Sequence, residues 1–362
     1  MATQPVILAS PSSRKKFVRR IAADHSQQIR RIVQALFVAL NAGIGIQFML
    51  WVRSFEQPGA MQISRPVGVD GWLPIAGLMN FKYFLATDRV PAIHPAAMFL
   101  LMAFFFMSVV LKKAFCSWLC PAGTLSELLW KFGRRIFHRN FALPRWLDLP
   151  LRGLKYLLFG FFALIIGSMS AEALDDFMHA PDALVADVKM LNFFLHIGVT
   201  AGIVIALLIV LSVLVENFWC RYLCPYGALM GLGSLLSPFK IRRDQEACID
   251  CGKCAQACPS HLPVDQLVHV RSAECTGCMA CVAACSAQNA LQFSLPPSRG
   301  KTPEQRWTRR AAGPLAVVAL LACMFFGFTA CAKITGHWQT NIPRSVYQEL
   351  VPVTDSPAHL GY

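Results

Sequence analysis

Cys248-Ile-Asp-Cys251-Gly-Lys-Cys254-Ala-Gln-Ala-Cys258-Pro259 returns twenty-seven residues later as Cys275-Thr-Gly-Cys278-Met-Ala-Cys281-Val-Ala-Ala-Cys285-Ser286. Each run is C-x2-C-x2-C-x3-C. Three thiols two residues apart can wrap one polynuclear centre from a single tight loop. Zinc sites show paired C-x2-4-C halves instead. The fourth cysteine of each run opens a helix that leads away, so it reaches the centre of the other run.

This is the spacing that holds [4Fe–4S] cubes in two-cluster ferredoxins. By that rule Cys248, Cys251, Cys254 and Cys285 hold one cube, and Cys275, Cys278, Cys281 and Cys258 hold the second. Gly252 and Gly277 relieve crowding of the backbone near sulfur. Ser286 stands where the motif prefers proline; it removes no ligand.

Outward from this loop the chain is apolar. Of 362 residues 55% are hydrophobic and only 15% charged, with a mean hydropathy of +0.47, against about 25% charged in a soluble domain. Five runs approach the roughly 20 residues that cross a bilayer: Ile32–Trp51, Ala92–Leu111, Tyr156–Leu174, Leu191–Val215 and Pro314–Ala332. The fold class expected is an α-helical integral membrane protein of about five spans with an inserted two-cluster ferredoxin-like (α+β) domain. The parts are a basic arm (1–31), a four-helix membrane domain (32–239), the ferredoxin domain (240–296), a linker (297–313), a fifth span (314–332) and a tail (333–362).

The formal net charge of +14 flanks the apolar runs and sets topology; it gives no basic–aromatic surface for nucleic acid. Arg14, Lys15, Lys16, Arg19, Arg20, Arg30 and Arg31 precede the first run. Lys112, Lys113, Lys131, Arg134, Arg135, Arg139, Arg145, Arg152 and Lys155 lie between the second and third. Arg306, Arg309 and Arg310 precede the fifth. Glu172, Asp175, Asp176, Asp182 and Asp187, with only Lys189, lie between the third and fourth. The positive-inside rule then gives N-in/C-out, with the cysteine-rich loop in the reducing cytoplasm. The first run reads as an uncleaved span, because it is longer than a signal core and ends in Trp51-Val-Arg53.

Two further cysteine pairs close the second and fourth runs: Cys116-Ser-Trp-Leu-Cys120-Pro121 and Cys220-Arg-Tyr-Leu-Cys224-Pro225, offset by 104 residues. Positions i and i+4 share a helix face, and proline disfavours helix at the residue before it, so each helix bends or stops at its second cysteine. Gly123 and Gly227 allow the turn that follows. Two parallel helices with one motif suggest a pseudo-twofold along the membrane normal. Three readings stand: a third redox or metal site of Cys116, Cys120, Cys220 and Cys224, a redox-active dithiol, or structural helix stops.

Lys113–Cys120 and Trp219–Met230, together with Gly71-Trp-Leu-Pro-Ile-Ala-Gly-Leu-Met79 and Leu236-Ser-Pro-Phe-Lys-Ile-Arg-Arg243, resemble the membrane polyferredoxins of the NapH, MauN, NosR and RdxA/CcoG group. The resemblance covers the chain from about the first span to the fifth and is weakest in the arm and tail. It implies a protein of the bacterial inner membrane that moves electrons between the quinone pool or a cytoplasmic donor and a redox partner protein. Lys333–Tyr362 is expected to hold neither the extra folded domain of RdxA/CcoG members nor the periplasmic flavin domain of NosR.

Electron transfer without substrate chemistry of its own is the first functional reading. The alternative is a metal reductase, cupric for example, or a maturation factor, since thiolates suit Cu(I). A sensor ranks last, because nothing in the sequence supplies an output domain. His94 and His196, near the outer ends of the second and fourth spans, are candidates for a haem or quinone site; backbone or headgroup bonding is the plainer reading. Arg65–Ile75 reads as an interfacial anchor, with a quinone pocket as the alternative. His179 is expected in solvent, and Cys323 and Cys331 buried and inert.

Overall fold

The structure is a computed structural model that describes residues 18–20, 24–56, 63–141, 143–296 and 311–354. Arg14, Lys15, Lys16, Arg306, Arg309 and Arg310, which carry part of the topology signal, lie outside the described residues. The elements run α1 (Ser26–Glu56), α2 (Pro74–Thr87), α3 (Pro95–Leu111), α4 (Ala114–Trp118), α5 (Pro121–Phe137), α6 (Arg145–Ser168), α7 (Ala171–His179), α8 (Pro181–Leu184), α9 (Ala186–Leu195), α10 (Val199–Leu214) and α11 (Pro225–Ser234). Then come β1 (Lys240–Arg243), α12 (Lys253–Gln256), α13 (Ala280–Ala283), β2 (Leu291–Ser294), α14 (Pro314–Ile334) and α15 (Arg344–Leu350).

Among the described residues three helices are long and apolar enough to cross a membrane: α1, α6 and α14. A fourth span arises if α9 and α10, bent 80° against each other, count as one. The expected continuous run Leu191–Val215 is therefore broken. Its break falls at His196–Gly198, where Gly198 takes an extended backbone that starts α10. The expected third run, Tyr156–Leu174, is shifted. Its helix begins at Arg145 and ends at Ser168, and Ser170 caps α7 by accepting the Ala173 N–H at 3.1 Å. The second run makes only the 17 residues of α3, started by Pro95 at the first helical position.

α3 is the centre of the bundle. Ala96, Ala97, Met98, Ala103, Met107 and Leu111 are buried, with α2, α11 and α14 packed around them. By contrast α10 turns Val199, Ile203, Leu207 and Val210 outward, which suits contact with lipid. The two halves of the repeat exchange partners: α3 packs on α11, and α10 packs on α5. At the second crossing the chains almost touch. A Cβ on Gly133 would stand 1.9 Å from the Val213 carbonyl oxygen. The other face of α5 shows Leu125, Leu128, Phe132 and Ile136 to the outside, the pattern of a helix lying in a membrane interface.

β1 and β2 form one antiparallel ladder with Ile241 opposite Phe293. Ile241, Leu262, Val264, Val270 and Phe293 share a single apolar core with Leu111, Phe115 and Trp118 of the bundle. The cysteine-rich domain is thus packed onto the bundle.

At the opposite end of α3 lies a buried ionic cluster. Arg65 Nε and Nη2 donate to Asp187 Oδ2 at 2.9 and 2.7 Å, and Nη2 donates to Asp70 Oδ1 at 2.5 Å. His94 Nδ1 meets the same Asp70 oxygen at 3.1 Å. Arg65→Met leaves two buried carboxylates without their cation, and breaking such a pair costs about 3–5 kcal/mol. Thermal unfolding in detergent should show that loss, and should show much of it recovered when Asp70 and Asp187 are also made apolar.

Candidate functional site

The two CxxxCP motifs adopt the same local geometry. In each, the second cysteine's N–H reaches back five residues: Cys120 to the Phe115 carbonyl at 2.9 Å, and Cys224 to the Trp219 carbonyl at 3.0 Å. Such wide π-type turns gather at functional sites. The second cysteine is then the residue before a new helix, α5 or α11, with proline at the first helical position. The expectation that i and i+4 put both thiols on one helix face is therefore corrected. Cys116 lies in α4, Cys220 lies in the π-helical turn Trp219–Leu223, and Cys120 and Cys224 lie at helix N-termini. There the backbone N–H of Gly227 points at Cys224 Sγ at 3.3 Å.

Gly123 and Gly227 do not make a turn with positive φ. Gly123 lets the first turn of α5 pass the Cys116 carbonyl, where a Cβ would stand only 2.2 Å away.

The four thiols lie in one neighbourhood, but among the described residues no three are gathered closely enough to hold a metal ion. Cys220 lies within electrostatic reach of Cys224, Cys120 and Cys116, and Cys116 within reach of Cys120 and Cys224. The ring of Tyr226 is near three of them and meets Phe115 edge-on at 6.1 Å. Burial pushes the Cys116 thiol up to about 12 and Cys120 up to about 11, with the neighbouring sulfurs adding to it. As bare thiols they are neutral at physiological pH.

In the ferredoxin loops, Cys258 lies near Cys278 and Cys275, and Cys285 lies near Cys248 and Cys251. The structure so groups the cysteines across the two runs. Both loops use positive φ at the same two places: Asp250 and Gly252 in the first, Gly277 and Met279 in the second. Glycine is thus not required by conformation at every one of them. Gly277 has an added reason, since a Cβ there would sit 3.0 Å from the Leu111 carbonyl. Burial pushes Cys254 up to about 11 and Cys258 to about 12, and metal binding would have to overcome this to form thiolates. Ser286 takes no part among the sulfurs; its carbonyl accepts the Arg20 N–H at 2.9 Å.

The second loop is the one that rests on the bundle. Ser117 Oγ donates to the Thr276 carbonyl at 2.7 Å, Trp118 Nε1 to the Gly277 carbonyl at 3.2 Å, and Gln27 Nε2 to the Cys278 carbonyl at 2.9 Å. Beside them Lys155 Nζ donates to both oxygens of Glu274 at 2.7 and 2.6 Å, and Lys113 stands 3.5 Å from it. Burial works against that carboxylate, but Lys113 and Lys155 outweigh it and hold Glu274 at about 2. A cavity of about 160 Å³ touches Cys116, Cys220 and Cys278, so it joins the CxxxCP quartet to this loop. In the first loop Cys251 is exposed and Cys254 buried.

Lys112, Lys113, Lys155, Glu274, Arg30 and Glu127 were not singled out as site residues by sequence reasoning, which read the cations as topology signals. The pairing of Lys155 with Glu274 spans 119 positions and leaves no local pattern.

Glu127 accepts two bonds from Arg30 at 2.6 Å each and one from Gln34 at 3.0 Å, and it also pairs with Lys131. Burial raises its pKa, but these partners prevail and hold it at about 2. A depressed carboxylate stabilises above its unfolded pKa, about 4.3. That contribution, about 3 kcal/mol, is lost as pH falls through 4 towards 2. Acid unfolding of Glu127→Gln should therefore show a weaker loss over this window than the parent protein.

His94 is buried and its Nδ1 is taken by Asp70, while His196 lies exposed at the end of α9. That arrangement gives no support to a haem or quinone held between them. Arg65–Ile75 contributes Arg65 and Asp70 to the buried ionic cluster, and Trp72 Nε1 donates to Asn41 Oδ1 at 3.1 Å. His179 is exposed beside Asp175. Cys323 and Cys331 are exposed, which corrects the expectation of burial. Val317 and Leu321 form the buried side of α14, and these two cysteines fall outside it.

Comparison with known proteins places these observations. A family described as a 4Fe-4S binding domain matches residues 93–140 and again 197–244, one CxxxCP motif in each. A family described as a 4Fe-4S dicluster domain matches residues 240–286. YccM of Escherichia coli (strain K12), whose name assigns it to electron transport, is 50% identical over 91% of this chain and 91% of its own length. The ferredoxin-type protein NapH of Haemophilus influenzae is 25% identical over 73% of this chain and 88% of its own. The regulatory protein NosR of Pseudomonas aeruginosa is 28% identical over 51% of this chain and 25% of its own. No solved structure matches. With its tandem cysteine loops, apolar helices and near-complete match to YccM, the chain belongs to the YccM-type iron–sulfur electron-transport proteins of the NapH and NosR group.

Proposed function

We propose that the chain is a multi-pass relay of the bacterial inner membrane that passes single electrons between the quinone pool or a cytoplasmic donor and a redox partner protein. One observation carries this reading: two four-thiol sets stand in tandem, one resting on the apolar bundle and the other reaching the surface at Cys251. Iron–sulfur cubes supply one-electron chemistry at potentials set by net charge, hydrogen bonds to sulfur and exposure.

Cys275, Cys278, Cys281 and Cys258 hold the bundle-side cube, and Cys248, Cys251, Cys254 and Cys285 the surface cube. The residues around them differ in the ways that set potential. Trp118, Ser117 and Gln27 fix the bundle-side loop and close it from solvent. Arg243 brings a cation 3.6 Å from Cys248 Sγ beside an exposed loop. The basic ends of α1, α3 and α6 lie at the cysteine-rich end of the bundle, which supports N-in/C-out with the ferredoxin domain in the cytoplasm.

Anaerobic purification should yield two EPR-active [4Fe–4S] centres that a quinol analogue or reduced ferredoxin reduces in native membranes. Protease should reach residues 240–296 only in inside-out vesicles. An iron-free chain, or cleavage only in right-side-out vesicles, ends the proposal.

A further inference from the structure

We infer that Lys240, Arg242, His269 and Arg271, with Lys112 buried beneath them, form a binding site for the phosphate of an anionic phospholipid headgroup. The site holds none of the cysteines. It needs only that α14 crosses a membrane, so it stands apart from the relay reading.

The pleat of β1 sorts its residues onto two faces. Ile241 enters the core opposite Phe293, which leaves Lys240 and Arg242 together on the other face. The segment around His269 runs antiparallel along β1. The Arg243 N–H donates to the Val268 carbonyl at 2.8 Å, and the Val270 N–H to the Ile241 carbonyl at 2.9 Å. That pairing sets His269 opposite Arg242. Arg271 follows two residues on, and its Nε donates to His269 Nε2 at 2.6 Å. Lys112, fully buried at the end of α3, donates from Nζ to the Arg271 carbonyl at 3.2 Å.

The neighbours acting on this group are nearly all cations. Burial, then Arg271 and Arg242, pulls Lys240 below its ordinary value, and burial, then Arg271, does so to Arg242. Burial, followed by Arg271, Arg242, Lys240 and Lys112, lowers His269 in the same way. Cys275 pulls Lys112 in the other direction. Like charges held this close repel until an anion stands among them. A phosphate diester supplies that charge, and its free oxygens accept from guanidinium and ammonium groups together.

Placement makes the anion a lipid. Ser237 Oγ donates to the Val110 carbonyl at 2.7 Å and ties the approach to β1 onto the end of α3. At the other edge of the sheet Ser294 pairs with Ala311, and α14 starts three residues later at Pro314. The sheet therefore stands where α14 would enter the bilayer. Leu235 and Leu236, just before β1, are exposed, Leu236 by 74%, and Leu315 at the start of α14 by 70%. Apolar side chains of this kind enter the acyl region while neighbouring cations take headgroups. A free phosphate or an acidic soluble protein would use the cations and leave the leucines in water.

The anaerobically purified full chain in neutral detergent is titrated separately with dihexanoyl phosphatidylglycerol, dihexanoyl phosphatidylcholine and inorganic phosphate, and read by native mass spectrometry and thermal unfolding. Phosphatidylglycerol should bind and raise the unfolding temperature, and phosphatidylcholine at the same concentration should do neither. Arg271→Gln and Lys240→Gln should each weaken phosphatidylglycerol about fivefold, the worth of one cation at an anionic lipid surface. Arg135→Gln, at an exposed cation in the last turn of α5, should bind as the parent does. Equal binding of phosphatidylcholine, or equal weakening in Arg135→Gln, reduces the cluster to general surface charge and overturns the site. Inorganic phosphate binding as tightly as phosphatidylglycerol overturns the lipid. No binding of phosphatidylglycerol, with Arg271→Gln slowing reduction by an acidic soluble ferredoxin, makes the face a protein-docking surface and overturns the proposal as well. If the glutamine variants do not fold, salt decides on the parent: phosphatidylglycerol affinity should fall as ionic strength rises, and an affinity that salt does not move overturns the site.

Discussion

Gly123→Ala is expected to damage the protein far more than Gly227→Ala, although the two glycines occupy matched positions in the repeat. The Cβ of alanine at 123 would lie 2.2 Å from the Cys116 carbonyl oxygen, whereas at 227 the nearest atom is the Cys220 carbonyl oxygen at 3.5 Å. The first is a collision with backbone, and no side-chain rotation relieves it. The second is ordinary contact. Overpacking of this kind costs about 1–3 kcal/mol, and more where the neighbour cannot move. For Gly123→Ala the displaced group is the α4 hairpin. That hairpin carries Cys116 and also Ser117 and Trp118, which hold the Thr276 and Gly277 carbonyls. The variant should lose stability by about 3 kcal/mol or more and loosen the bundle-side ferredoxin loop. Hydrogen exchange over residues 272–281 should accelerate in Gly123→Ala and stay near the parent rate in Gly227→Ala. Matching behaviour of the two variants would falsify the asymmetry.

The asymmetry marks where sequence stops being readable. Spacing of cysteines is local information, and it carries the two ferredoxin loops, the crossed grouping of Cys258 and Cys285, and the repeat offset. The stop at Cys120 and Cys224 was legible from the proline that follows each. The side on which the thiols sit was not, because a π-type turn depends on what packs against it. Apolar length alone found five runs. It could not show that α3 would be short and enclosed, or that Gly198 would break the fourth run into α9 and α10. Lys113 and Lys155 look like the other cations of the positive-inside pattern until the fold brings Glu274 to them. Cys323 and Cys331 illustrate the same limit: a helix apolar on every side does not announce which face another helix will cover.

Cys258→Ala and Cys285→Ala should separate the two ferredoxin centres by position as well as by ligand. Cys258 comes from the first run yet lies beside Cys275 and Cys278. Its loss is expected to remove about four irons and the signal of the bundle-side centre, while the signal supported by Cys248, Cys251 and Cys254 remains. Cys285→Ala should do the reverse. The functional consequences are expected to be unequal, because the second loop is hydrogen-bonded to the membrane domain whereas Cys251 of the first is exposed. In membranes given a quinol analogue, Cys258→Ala should leave the surface centre oxidised, although dithionite still reduces it. In Cys285→Ala the bundle-side centre should still be reduced from the membrane, and transfer onward to a soluble acceptor should stop. Retention of the surviving centre shows that the loop has kept its fold in each variant. Reduction of the surface centre from the membrane in Cys258→Ala, at the parent's rate, would show that electrons bypass the bundle-side loop. The linear arrangement of thiol sets would then have no bearing on the path.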